Sequence, residues 1–151
     1  KLRMAGDGDA MRYKDEGNAK FRKGDMQGAL MEYTQGINTN PDEELVSQLL
    51  SNRSACLVEL ERLEEALEDA KACVKIKPKF AKGHFRISQA MLSLARSRLK
   101  KNDGKDGDVS VAYDHFLSSW KSIAHALELE EESVLYRDFL LALQEEIARL
   151  P

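Results

Sequence analysis

Apolar side chains along this chain return at the three-to-four-residue spacing of amphipathic helices, in segments separated by polar or glycine-containing turns. The pattern predicts helices over Met11 to Lys23 and Met26 to Asn38, with Gly24 and Asp25 as the turn between them. It predicts further helices over Glu44 to Glu61 and Leu63 to Ile76. A fifth runs from Phe80 or Ala81 to about Leu99, and a sixth from about Val111 to Glu130. The last, Ser133 to Leu150, sets Leu135, Phe139, Leu143, Ile147 and Leu150 at near-helical spacing. The fold class is therefore all-α. Pro41 and Pro78 end the helices before them, because proline cannot continue the hydrogen-bond ladder. Residues Lys1 to Asp9 carry two glycines and no apolar pattern, and read as a flexible lead-in. The polar stretch Lys101 to Asp108 reads as a mobile loop.

The helices repeat. Pro41 and Pro78 lie 37 residues apart, and the same shift lays Ala29 on Ala66, Leu30 on Leu67 and Tyr33 on Ala70. The underlying period is about 34 residues with a small insertion. Gly17, Ala29, Gly36, Ser54, Ala66 and Cys73 are small enough to let paired helices approach, and Tyr33, Leu57 and Phe80 fill the spaces between. The segments Gly17-Asn18-Ala19-Lys20-Phe21, Ser51-Asn52-Arg53-Ser54-Ala55 and Lys77-Pro78 through Lys82-Gly83 resemble the tetratricopeptide-repeat (TPR) family, and most of all its co-chaperone branch, densely from about Met11 to Leu94. The resemblance implies three helix-turn-helix units, about 10–43, 44–80 and 81–131, wound into a right-handed superhelix with a concave groove. The third unit departs from the pattern by about 19 extra residues. Two lengthened helices with the loop at their far tip can absorb them. The helix over 133–150 then caps the last exposed apolar face.

Composition narrows the functional classes. The 151 residues are 42% hydrophobic and 32% charged, which suits one folded domain rather than a disordered chain. A net charge of −3 argues against a general nucleic-acid binder. No apolar run approaches the roughly 18 residues of a membrane span. Cys56 and Cys73 form no CxxC pair and sit beside alanines on helix faces, as small core fillers. Without a signal peptide they indicate a reducing compartment, the cytoplasm. The start at Lys1 and the end at Pro151 suggest a piece of a longer chain.

The candidate chemistry lies on the first helix of each unit. Lys14 and Asn18 are one helical turn apart, as are Lys82 and Arg86, and Asn52 lies on the helix between. Three fixed positive charges and two amides make a set suited to carboxylates, through charge-assisted bonds of about 1.5–3 kcal/mol each. The amides also offer acceptors for a peptide N–H. The five match the carboxylate clamp of co-chaperone TPR domains. That resemblance implies a ligand ending in Glu-Glu-Val-Asp, the C-terminus of heat-shock protein 90 or heat-shock protein 70. Phe21, Glu59 and Gln89 stand where relatives preferring the Met-Glu-Glu-Val-Asp end of heat-shock protein 90 carry an aromatic, a glutamate and an amide, which favours that partner.

Other signals lead nowhere comparable. His84, His115 and His125 have no metal-ligand spacing, and Asp103, Asp106 and Asp108 lack the spacing of a calcium loop. No nucleotide fingerprint or catalytic constellation stands out, so neither a cofactor nor an enzymatic activity is expected of this segment. Trp120 is expected in the core. The main alternatives are a docking arm of a larger enzyme (a peptidyl-prolyl isomerase, a phosphatase or a ubiquitin ligase) and an organelle import receptor with the same clamp. The sequence does not specify an oligomeric state.

Overall fold

A computed structural model describes residues 7–101 and 106–150, among which there are seven α-helices and no strand. They are α1 (Asp7–Arg22), α2 (Met26–Asn38), α3 (Glu43–Glu59), α4 (Leu63–Ile76), α5 (Ala81–Lys101), α6 (Asp106–Leu129) and α7 (Val134–Ala148). Helices α1 and α2, α3 and α4, and α5 and α6 pack as pairs, each pair is packed on the next, and α7 closes the end against α6. The first helices also touch one another, α1 on α3 and α3 on α5, so they form one continuous layer.

Local chemistry sets the helix ends. Asp25 and Asp42 cap α2 and α3 by accepting from the backbone N–H of Gly28 at 2.8 Å and of Leu45 at 2.9 Å. Gly24, at φ +83°, makes the left-handed turn between α1 and α2. Helix α1 starts at Asp7, ahead of the expected Met11, because the Asp7 carboxylate accepts from the Asp42 N–H at 3.0 Å and Ala10 is fully buried. Within the lead-in expected over 1–9, residues 7–9 are therefore helical, and 1–6 lie outside the described residues.

The core combines small residues, which let helices approach, with large ones such as Tyr33, Leu49, Phe116 and Ile123. A methyl group on Gly17 would stand 2.5 Å from the Tyr33 ring, so glycine is what allows α2 to seat this tyrosine against α1. The buried thiols of Cys56 and Cys73 are pushed up to about 12 and about 11 by desolvation, which leaves them inert core groups. Between the two long helices, Ser88 and Ser119 each donate a hydroxyl to the other's backbone carbonyl at 2.8 Å. Small side chains there let α5 and α6 meet closely.

Three expectations change. Helix α5 reaches Lys101 and α6 begins at Asp106, so the segment expected as a loop over 101–108 is helical at both ends; its middle, 102–105, lies outside the described residues. Trp120 is 37% exposed rather than in the core. The inward face of α6 is set by Phe116, Ser119, Ile123 and Ala126, and Trp120 is turned off it. Leu135 does not belong to the apolar stripe of α7, being 59% exposed. Tyr136 takes its place, with its ring 5.1 Å from Phe85, while Phe139 meets the same Phe85 ring edge-on at 5.2 Å. Leu143 is buried in that stripe, and Phe139, Ile147 and Leu150 are partly buried against it.

Candidate functional site

The layer of α1, α3 and α5 brings together the cations and amides named from the sequence. A pocket of about 170 Å³ is lined by Asn18, Phe21, Arg22, Tyr33, Asn52, Ala55, Lys82 and Arg86. Four of the five expected clamp residues and Phe21 therefore share one wall. Lys14, one turn before Asn18, is not in that lining and donates to Gln48 Oε1 of α3 at 2.8 Å. Gln89 does not line the pocket; its Oε1 accepts from Arg86 Nη1 at 2.6 Å and fixes the guanidinium. Glu59 is exposed at the C-terminal end of α3 and is also not part of the lining.

The hydrogen bonds give the pocket a direction. Lys82 Nζ lies 3.1 Å from Asn52 Oδ1, and an ammonium can only donate. That fixes the Asn52 amide with its nitrogen toward Asn18, where Nδ2 donates to Asn18 Oδ1 at 3.0 Å. Tyr33 Oη donates to the same oxygen at 2.7 Å. Both lone pairs of Asn18 Oδ1 are thereby occupied, and the Asn18 NH₂ keeps its two hydrogens. Asn18 thus offers this pocket donors, rather than the acceptor that its residue type also permits.

The electrostatics favour an anion. Lys82 is held below its usual range first by burial, then by the positive charges of Arg86 and Lys14. Burial likewise lowers Arg86, whose Nε is buried with no hydrogen-bond partner. The Arg86 guanidinium lies 5.6 Å from the Phe85 ring centroid, a weak substitute for a counter-ion. The pocket therefore concentrates positive charge out of water without compensating it, which an incoming carboxylate would reverse.

Tyr33 and Arg22 escaped sequence reasoning as members of this site. Tyr33 was legible only as a space-filler, although its register partner Ala70 has no hydroxyl to place, and that difference was the available signal. A second hollow of about 420 Å³, between the α3–α4 turn and the outer part of α5, includes Arg96. That arginine is already paired with Glu146 at 2.6 Å. Among the described residues, no group of three or more His, Cys, Asp or Glu side chains could hold a metal ion, and no helix is long and apolar enough to cross a membrane.

No protein-family model matches the chain. Among characterised proteins it is 38% identical over 87 residues to "Protein STIP1 homolog" of Dictyostelium discoideum, a match covering 58% of this chain and 15% of that protein. It is 40% identical over 94 residues to "Heat shock protein STI1" of Saccharomyces cerevisiae, covering 59% of this chain and 16% of that protein. The chain thus spans about one sixth of the length of these relatives. In three dimensions it is similar to the first TPR of Spaghetti (RPAP3) bound to the HSP90 peptide SRMEEVD, with a TM-score of 0.73 at 20% identity over 94% of this chain and 98% of that one. The fold is that of a TPR domain.

Proposed function

We propose that the chain is a co-chaperone-type peptide-binding module whose groove holds the C-terminal Glu-Glu-Val-Asp of heat-shock protein 90 or heat-shock protein 70, with heat-shock protein 90 preferred. The observation that carries this reading is the donor-rich wall: Asn18 Oδ1 is taken up by Asn52 and Tyr33 and Asn52 Oδ1 accepts from Lys82, which leaves the wall rich in N–H donors, while Arg86 Nε is buried without a partner. A terminal aspartate brings two carboxylates to such a wall. In this reading Lys14, Asn18 and Asn52 surround the main-chain carboxylate, and Lys82 and Arg86 take the side-chain carboxylate. Gln89 holds Arg86 in place rather than meeting the peptide itself. Phe21 in the pocket wall offers an apolar contact to the residue upstream of the acidic pair, which suits the methionine of Met-Glu-Glu-Val-Asp. The fold shared with the peptide-bound TPR of Spaghetti is compatible with a C-terminal peptide ligand. The relatives' greater length is compatible with this segment docking a larger protein onto a chaperone.

Calorimetric titration with the two chaperone C-terminal peptides tests the proposal. Both should bind with micromolar dissociation constants, near −8 kcal/mol, and the Met-Glu-Glu-Val-Asp peptide more tightly. Heat from neither peptide would overturn the assignment, and tighter binding of the heat-shock protein 70 peptide would reverse the preference.

A further inference from the structure

The most deeply buried member of the pocket wall is neither a cation nor an amide. Tyr33 belongs to α2, outside the layer of first helices, and is 1% exposed. Its ring is clasped by Gly17, one residue before Asn18. Its hydroxyl crosses to Asn18 Oδ1 at 2.7 Å, closing a chain that begins at Lys82 and passes through Asn52. Burial also pushes the phenol above its usual range, so the hydroxyl keeps its proton at neutral pH.

We infer that Tyr33 is a positioning residue for the ligand carboxylate: its hydroxyl locks the Asn18 amide with both N–H groups facing the groove. The physics is that of an amide with two distinguishable ends. Held only by Asn52, Asn18 has one fixed contact and can rotate its carboxamide, presenting an oxygen to an incoming carboxylate half-way through each turn. An oxygen facing a carboxylate is repulsive, so every misoriented conformer is lost to binding. Two donors converging on Oδ1, one from each side, remove that freedom before the ligand arrives. The affinity gained is preorganisation, with no contact between Tyr33 and ligand. This inference rests on the carboxylate-binding reading of the pocket.

A double-mutant cycle separates the two ideas. Tyr33→Phe keeps the ring that Gly17 receives and removes only the donor. It should weaken a free-acid Glu-Glu-Val-Asp peptide about five- to tenfold, with little change in melting temperature. Asn18→Ala should weaken it as well, and the two losses should not add: once Asn18 is gone, Tyr33→Phe should have almost no further effect. Fully additive losses would overturn the inference while leaving the clamp intact. The clamp itself fails separately, if Lys82→Ala leaves affinity unchanged in the Tyr33 background. Should Tyr33→Phe unfold the domain, the Asn18 side-chain amide of the unmodified protein decides by NMR. Its NH₂ group should be as rigid as the helix backbone by side-chain relaxation before ligand is added, and both protons should shift when the peptide binds. A freely mobile amide in the ligand-free domain, or protons unmoved by peptide, would overturn the inference.

Discussion

Two arginines in this molecule share a side chain and differ in everything around it. Arg53 on α3 meets Asp69 of α4 through two bonds, Nε to Oδ2 at 2.7 Å and Nη2 to Oδ1 at 2.8 Å, with Thr34 Oγ1 beside Nη1 at 3.3 Å. The Asp69 bond holds its charge above the usual range. Arg86 on α5 is also withdrawn from water, yet among the described residues its side chain bonds the neutral Gln89, its Nε has no partner, and burial holds its pKa below the usual range. A forked pair between α3 and α4 joins helices. Arg86, on the pocket wall with Lys82, bonds within its own helix to Gln89 and has no such forked partner. The contrast separates charge paired within the fold from charge left without a counter-ion in the pocket, and it does so by partners rather than by residue type.

The strongest way to break that comparison is to delete each arginine's role in turn. Arg86→Ala should cost up to about 5 kcal/mol of peptide affinity, because it strands a desolvated ligand carboxylate, and should leave thermal melting nearly unchanged. Large destabilisation without loss of binding would assign Arg86 to the fold instead. Asp69→Ala should behave oppositely, destabilising the domain by about 3 kcal/mol by leaving Arg53 unpaired, as read by denaturant titration, with peptide affinity in the folded fraction preserved.

Acidity sharpens the same point. The folded pKa of Lys82 lies below its usual 10.5, so at neutral pH its charge disfavours folding, and Lys82→Met should melt no lower than the unmodified domain. Peptide carboxylates favour the charged form. Affinity should therefore fall as pH rises through the lowered Lys82 pKa, and binding there should take up protons, measurable as a buffer-dependent heat. A pH-independent affinity in the alkaline range would mean that Lys82 does not meet the ligand. The smallest effect belongs to the pair Arg96–Glu146, which bridges α5 and α7 at 2.6 Å but is half exposed at the arginine. Arg96→Gln should cost under about 1 kcal/mol of stability and nothing in binding.

Much of this was legible in the residues because the repeat imposes a register. Helices α2 and α4 begin and end where the apolar period and the prolines place them. Asn18, Asn52, Lys82 and Arg86 could be assigned to one wall because successive first helices stack on each other. What escaped depended on rotation about helix axes. Trp120 and Leu135 look like core by composition, but each is adjacent in sequence to the residue that faces inward, Ser119 and Tyr136. The long helices α5 and α6 also invade the segment that composition marked as loop, since a polar glycine-containing sequence can continue a helix already anchored by its neighbour. Tyr33 was hidden for another reason: a residue that fills the core and orients a ligand group at once shows only the first role in a hydrophobic pattern.

The central claim is that the groove recognises a chain-terminal carboxylate. Calorimetry with one Glu-Glu-Val-Asp peptide, prepared once as the free acid and once with its C-terminus amidated, tests it most directly. The free acid should bind with micromolar affinity, and amidation should cost about 2–5 kcal/mol, pushing the dissociation constant toward the millimolar range. Equal affinity for the two peptides would contradict the account, and the positive wall of Lys14, Lys82 and Arg86 would then await a different ligand.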